Sequence, residues 1–301
     1  LKDGSLVVTN IKPGGPLIKI GNNGLVKNIN TDYVFHHSLE MDKNGLIYAA
    51  TRTNFDPTNR FLDEGFAILD QDLNVIKNYS LLNIYKKNNL LYEIYSKDPT
   101  LDPFHINDIQ PIETEDETKF VLLSLRANSS IIALDLETEN IIWKLKGYGS
   151  QQHDVDLINP NGSHISIFDN NISYNGPSDG NIFVEIMNLP EINKYDLAKM
   201  KIFNYGSNHK EENELLIKKT NFNNLASKMR PKTISAGRSE LVNQNNSLFI
   251  EESNYGRGFE IDMQTGDFLW QYINRKDNSN KYYRMSWSRR IKKLPESLIL
   301  K

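Results

Sequence analysis

The chain has 301 residues, 39% hydrophobic and 24% charged, the balance of a globular protein with enough apolar residues for a substantial core. Its net charge of −3 gives no global field for nucleic acid or an anionic membrane, and no run of about 18 apolar residues is present to span a bilayer. With no cysteine, thiol catalysis, disulfides and thiolate metal sites are excluded.

In chain order, Leu1 leads straight into a strand-like GSLVV with neither a starting Met nor a secretory signal, which points to a processed or truncated chain. From there short β-rich runs alternate with Asn, Asp and Gly turns, and long helical periodicity is scarce. A hairpin with a tight polar turn recurs as PLIKIGNNGLVKNI (16–29), GFAILDQDLNVIKNY (65–79), IIALDLETENIIWKL (131–145) and GFEIDMQTGDFLWQY (258–272). A looser copy, NIFVEIMNLPEINKYDL (181–197), falls between the third and fourth. From the second copy on, each hairpin follows another strand pair, and two hairpins in succession make a four-stranded meander. Meanders repeating every ~40–50 residues predict an all-β protein, a β-propeller forming one domain over residues 1–301. Five units and a partial sixth at the C-terminus, which the GSLVV strand would complete, give six four-stranded blades as the expectation. Two polar insertions, from about Tyr79 to Pro103 and from about Tyr195 to Lys232, are expected over one face, with short helices. Trp143 and Trp270, at matching places in two hairpins, are expected to pack blade against blade.

The six histidines are not scattered. His36 and His37 open HHSLEMDKNG, His105 opens HINDIQPI, and His153 opens HDVDLINPNG, each at the start of the first strand of a unit. In a propeller equivalent first-strand positions share one height around the central channel, so these side chains are expected to gather. Asn107, two residues after His105, points to the same side of its strand, although turn formation is the ordinary role of Asn. Asp154 and Asp156 either orient an imidazole or cap the strand. His164 and His209 read as surface residues. Arg126 ends the strand antiparallel to the one His105 starts, and Arg238, Arg289 and Arg290 occupy first-strand places in later units. The arginines predict a local positive field and an anionic group on the ligand.

Three neutral imidazoles would suit a transition metal, but adjacent guanidinium groups repel a cation, so no metal or organic cofactor is implied. Imidazole with guanidinium suits a tetrahedral oxyanion, a sulfuryl or phosphoryl group. Arginine neutralises the non-bridging oxygens, one histidine attacks, and another donates a proton to the leaving oxygen. No Walker-type loop is present, which argues against nucleotide-dependent phosphoryl transfer.

FHHS near residue 36, HIND near 105, LSLR at 123–126, and QHD followed by ISIFDNN together resemble the bacterial arylsulfate sulfotransferase family, from about Val34 to Trp270. The resemblance implies a six-bladed propeller that moves a sulfuryl group from a phenolic sulfate ester to a phenolic acceptor, without the nucleotide sulfate donor, through a covalent sulfohistidine. Carried over by motif, the nucleophile is His153. His37, or its neighbour His36, matches the first histidine, His105 and Asn107 the HxN pair, and Arg126 the arginine of SLR. Thr233 or Ser235 supplies a hydroxyl partner from a later blade. Ping-pong kinetics, a periplasmic or secreted location and a possible homodimer follow from the same resemblance. The absence of cysteines and of room for a separate N-terminal β-sandwich departs from better-known members. Two other readings compete: a non-catalytic propeller that binds a sulfated or anionic ligand or a protein partner, and a quinone-dependent dehydrogenase. The second predicts a Trp motif in nearly every blade, and only two units show one.

Overall fold

The computed structural model describes residues 1–9, 14–52, 62–95, 102–113, 118–158, 163–172, 182–190, 200–205, 214–220, 222, 225, 230–233, 235–242, 246–277, 279 and 281–288. The chain divides into two compact units, Leu1–Pro111 with Arg289–Lys301, and Ile112–Ser288.

The first unit holds one six-stranded antiparallel meander, β1 (Leu6–Val8), β2 (Gly15–Ile20), β3 (Val26–Met41), β4 (Ile47–Arg52), β5 (Glu64–Leu69) and β6 (Val75–Ser80), in sequence order. Aspartate opens two of its tight turns, at Asp42 and Asp70. Asp42 accepts the backbone N–H groups of Asn44 and Leu46, and Gly45 takes the left-handed conformation that closes the turn. Leu17, Phe35, Ile47, Ala49, Ala67, Leu69 and Leu73 form the apolar core of this sheet. The insertion after Tyr79 carries two short helices, as expected: α1 (Leu81–Lys87), capped by Ser80, and α2 (Leu91–Tyr95). β7 (Ile106–Glu113) follows, and within it the first unit ends and the second begins.

In the second unit β8 (Thr118–Leu125), β9 (Ser130–Asp135) and β10 (Ile141–Lys146) form an antiparallel meander around Leu122, Ala133, Trp143 and Leu145. β11 (His153–Leu157), β12 (His164–Asp169) and β13 (Phe183–Asn188) form the next sheet. β14 (Lys201–Asn204) returns to pair parallel with β10, and β15 (Leu216–Thr220) completes the β13 edge. β16 (Arg238–Val242), β17 (Ser247–Glu252), β18 (Arg257–Asp262) and β19 (Phe268–Ile273) close the series.

The protein is all-β, with the sheet-by-sheet meanders of a β-propeller, but among the described residues the strands form four sheets rather than the six expected. Two causes account for the difference. The first two hairpin units share β3, so they fuse into one sheet, and β1 pairs with β2 (Leu6 opposite Ile20) instead of completing a final blade. The expected C-terminal unit lies from Arg289 onward outside the described residues. Of the looser copy, the first strand is β13, which takes β15 as its antiparallel partner, and the part from residue 191 lies outside the described residues. Trp143 is fully buried in the core as expected. Trp270 is not blade packing: it is 40% exposed, stacks on Phe249 of its own sheet and donates to Glu260.

Candidate active site

The sequence-predicted residues fall into two clusters, one in each unit. In the first unit β3 departs from regular pairing at the histidines. Phe35 faces Thr51 and Leu39 faces Ala49, so His36, His37 and Ser38 oppose Ala50 alone. A bulge of this kind re-aims side chains, and here it puts His37 in the left-handed region at φ 50°. His36 Nδ1 and His37 Nδ1 lie 2.8 Å apart, so one ring supplies the proton and the other accepts it. The His37 ring meets His105 edge to face, with centroids 5.1 Å apart. His37 and His105 are therefore brought together as expected, and Asn107, fully buried, follows two residues later on β7.

Two carboxylates not singled out from sequence complete this cluster. Asp102 accepts the His105 backbone N–H at 2.9 Å through Oδ1 and pairs with His105 Nδ1 through Oδ2. This fixes His105 in a left-handed conformation (φ 48°) at the head of its strand. Burial raises Asp102, but the hydrogen bond and charge of His105 outweigh it and leave the carboxyl below its ordinary value, so it is ionised. Glu64 accepts the Ile106 N–H at 2.7 Å, and its other oxygen is 3.6 Å from His36 Nε2. Burial, then the charge of Asp102, pushes Glu64 well above the usual carboxylate range. Burial also pulls His36 down to about 4, with the His105 and Arg52 charges adding to it, so His36 is neutral at pH 7. Ser38 donates to Asp108 at 2.7 Å and accepts the Ile109 N–H, which ties the β3 bulge to β7. His36 is thus buried and neutral beside Glu64, and His37 is the one of the pair whose ring meets His105.

The second cluster is built around His153, which is 1% exposed. The register of β11 on β12 slips between His153, opposite Phe168, and Val155, opposite Ile167, and the extra residue, Asp154, takes φ 49°. His153 Nδ1 lies 2.6 Å from Asn170 Oδ1. An amide oxygen can only accept, so Nδ1 carries a proton, and the neutral ring in this arrangement has its lone pair on Nε2. Asn170 is itself fully buried, and its neighbour Asp169 accepts the N–H groups of Ser150 and Asn171. Asp169 is held in turn by Lys219, whose ammonium also sits 2.6 Å from Glu185. Burial raises Glu185 to about 7 despite that partner.

Arg126 opens the turn after β8. Gln152 donates to Ser130 O at 2.9 Å and reaches Leu125 O, the carbonyl just before Arg126, while the Gln151 N–H bonds Ser129 Oγ. One hydrogen-bonded corner therefore contains both the Arg126 turn and the strand start at His153. Thr233, fully buried, and Ser235 are both tied to Asn254 ahead of β16. The same stretch runs on to Gly237, which abuts the Phe168 ring; a Cβ there would sit 2.6 Å from it.

Arg238 is not a cation at a ligand mouth. It is fully buried among Asp154, Asp156 and Glu240 at 3.4–3.7 Å, which together hold it protonated against the cost of burial. Asp154 accepts the Ser239 N–H at 2.8 Å through one oxygen and faces Arg238 with the other. His164 is half-buried against Ser163, and His209, Arg289 and Arg290 lie outside the described residues. Asp102, Glu64 and Asn170 were the residues missed. Asp102 and Asn170 each had a signal, an Asp three residues before His105 and the FDN of the resemblance, and Glu64 had none. Among the described residues no helix is long and apolar enough to cross a membrane.

A family model described as arylsulfotransferase (ASST) matches residues 21–275. No curated protein matches the chain. Among solved structures, a Bacteroides caccae protein of unknown function is 8% identical over 90% of this chain and 73% of its own, with a TM-score of 0.48. The WD40 β-propeller domain of Doa1 is 10% identical over 91% and 67%, at 0.46. A 6-phosphogluconolactonase-like protein from Bacteroides uniformis is 9% identical over 90% and 69%, also at 0.46.

Proposed function

From the premise that the chain belongs to the arylsulfotransferase family, we propose that it moves a sulfuryl group from a phenolic sulfate ester to a phenolic acceptor, with His153 as the nucleophile. The observation that carries the assignment is the His153–Asn170 hydrogen bond, which puts a proton on Nδ1 and so makes Nε2 the ring nitrogen that can act as nucleophile.

In the first half-reaction His153 Nε2 attacks sulfur, the N–S bond forms and the S–O bond to the aryl group breaks. The departing phenolate takes a proton from His105, whose Nδ1 is held by ionised Asp102, as a carboxylate steadies an imidazolium. The motif match alone assigns Arg126 and His37 to the charge on the sulfuryl oxygens. In the second half-reaction the acceptor phenol gives its proton to His105, its oxygen attacks sulfur, and the N–S bond breaks. No atom is left over, so the cycle needs neither water nor a nucleotide, and it is ping-pong. Asn107, His36, Thr233 and Ser235 complete the proposed binding set, and the same reading places the enzyme in the periplasm or outside the cell.

The test is p-nitrophenolate release from p-nitrophenyl sulfate with and without phenol. The reading expects release that depends on phenol and disappears in His153→Ala. A panel of aryl sulfates that the folded protein binds without turning over would leave an anion-binding propeller instead.

A further inference from the structure

We infer that Arg238 and Asp154 are positioning residues for His153, an inference that rests on the reading of His153 as nucleophile. Asp154 directly follows His153 and is the residue that bulges out of the β11–β12 ladder in a left-handed conformation, unusual for any residue but Gly, Asn and Asp. That bulge sets where His153 points relative to Asn170. It is held by a partner remote in sequence: Asp154 Oδ2 accepts the Ser239 N–H at 2.8 Å, and Oδ1 lies 3.7 Å from Arg238 Nε. Arg238 is anchored on its other side, donating to Ser288 O at 2.6 Å and lying 6.0 Å from the Trp287 ring centroid. Both side chains are at most 2% exposed, so neither can pair with water when the other is lost. A fully buried guanidinium fixed on a carboxylate beside the nucleophile is suited to holding geometry, not to meeting a ligand.

Three substitutions separate this role from plain stability. Asp154→Gly keeps the left-handed backbone but removes the tether. Asp154→Asn keeps an oxygen for the Ser239 N–H and tolerates the same backbone. Arg238→Lys keeps the charge but loses the fork. Two readouts are taken below each variant's melting temperature: the His153 tautomer from the ¹⁵N shifts of labelled histidine, and kcat with KM for aryl sulfate. The expected result is a single Nδ1–H tautomer in the unsubstituted protein and in Asp154→Asn. Asp154→Gly should give mixed tautomers and kcat lowered about tenfold or more at little-changed KM, with Arg238→Lys between. If folded Asp154→Gly and Arg238→Lys both keep the Nδ1–H tautomer, the inference is overturned. If Asp154→Gly does not fold, Arg238→Lys against Asp154→Asn decides by the same readouts. Should the unsubstituted protein transfer no sulfuryl group, the family reading fails while the tautomer comparison still decides the positioning role.

Discussion

His153 and Asn170, on neighbouring strand ends, are joined by a 2.6 Å hydrogen bond from ring Nδ1 to amide oxygen, both side chains being buried. This contact puts a proton on Nδ1, the tautomer that the proposed attack by Nε2 needs. Replacing Asn170 by Ala removes the acceptor and leaves a buried N–H unpaired, at a cost of about 1–3 kcal/mol in stability. Turnover should fall about 10–100-fold while KM stays within about a factor of three, because the lesion lies in the attack and not in substrate binding. Chemical denaturation and steady-state kinetics check the two parts, and unchanged kcat would reject this role for Asn170.

The Asp102–His105 pair should matter in proportion to how badly the leaving group needs a proton. His105→Ala is expected to slow transfer from phenyl sulfate about 10²–10⁴-fold and from p-nitrophenyl sulfate much less, since p-nitrophenolate leaves unaided. Asp102→Asn should act in the same direction and more weakly. Equal losses with both donors would remove His105 from the acid role.

His36 carries a pH signature. Its pKa is drawn from 6.5 to about 4 by burial first and by nearby cations second, so the unfolded chain takes up a proton over that window and the folded one does not. Stability therefore falls as pH drops from 6.5 towards 4, by up to roughly 3 kcal/mol from this group. His36→Gln lacks the term, and its melting temperature should fall less steeply than that of the unsubstituted protein over the same window. Parallel curves would contradict the burial assignment.

Gly65 tests the packing beneath the first cluster. It follows Glu64 on β5, and a Cβ there would sit 1.8 Å from the carbonyl oxygen of Tyr79, part of the backbone of β6. Gly65→Ala should destabilise the protein by about 2–3 kcal/mol, measured by urea denaturation, because the strands must part to admit the methyl group.

How much of this was legible in the sequence divides along physical lines. The strands and the histidine positions were readable because period, turn residues and strand starts are local signals. The gathering of His37 with His105 followed from repeat alignment alone. The sheet count was not readable, because a hairpin pattern does not say whether its outer strand ends a sheet or continues it, and β3 does continue it. Arg238 was misread for a related reason: the carboxylates that neutralise it, Asp154 and Asp156, lie more than 80 positions earlier. Asp102 and Asn170 were overlooked because Asp and Asn abound in the turns of this chain, where capping is their ordinary use.

The most direct test of the central claim is intact mass, followed by peptide mapping, of the protein mixed with an aryl sulfate and no acceptor. The account predicts a mass increase of one sulfuryl group on His153, discharged by added phenol and absent in His153→Ala. Phenol-dependent transfer by the folded protein with no adduct at any time, or an adduct that persists in His153→Ala, would contradict it.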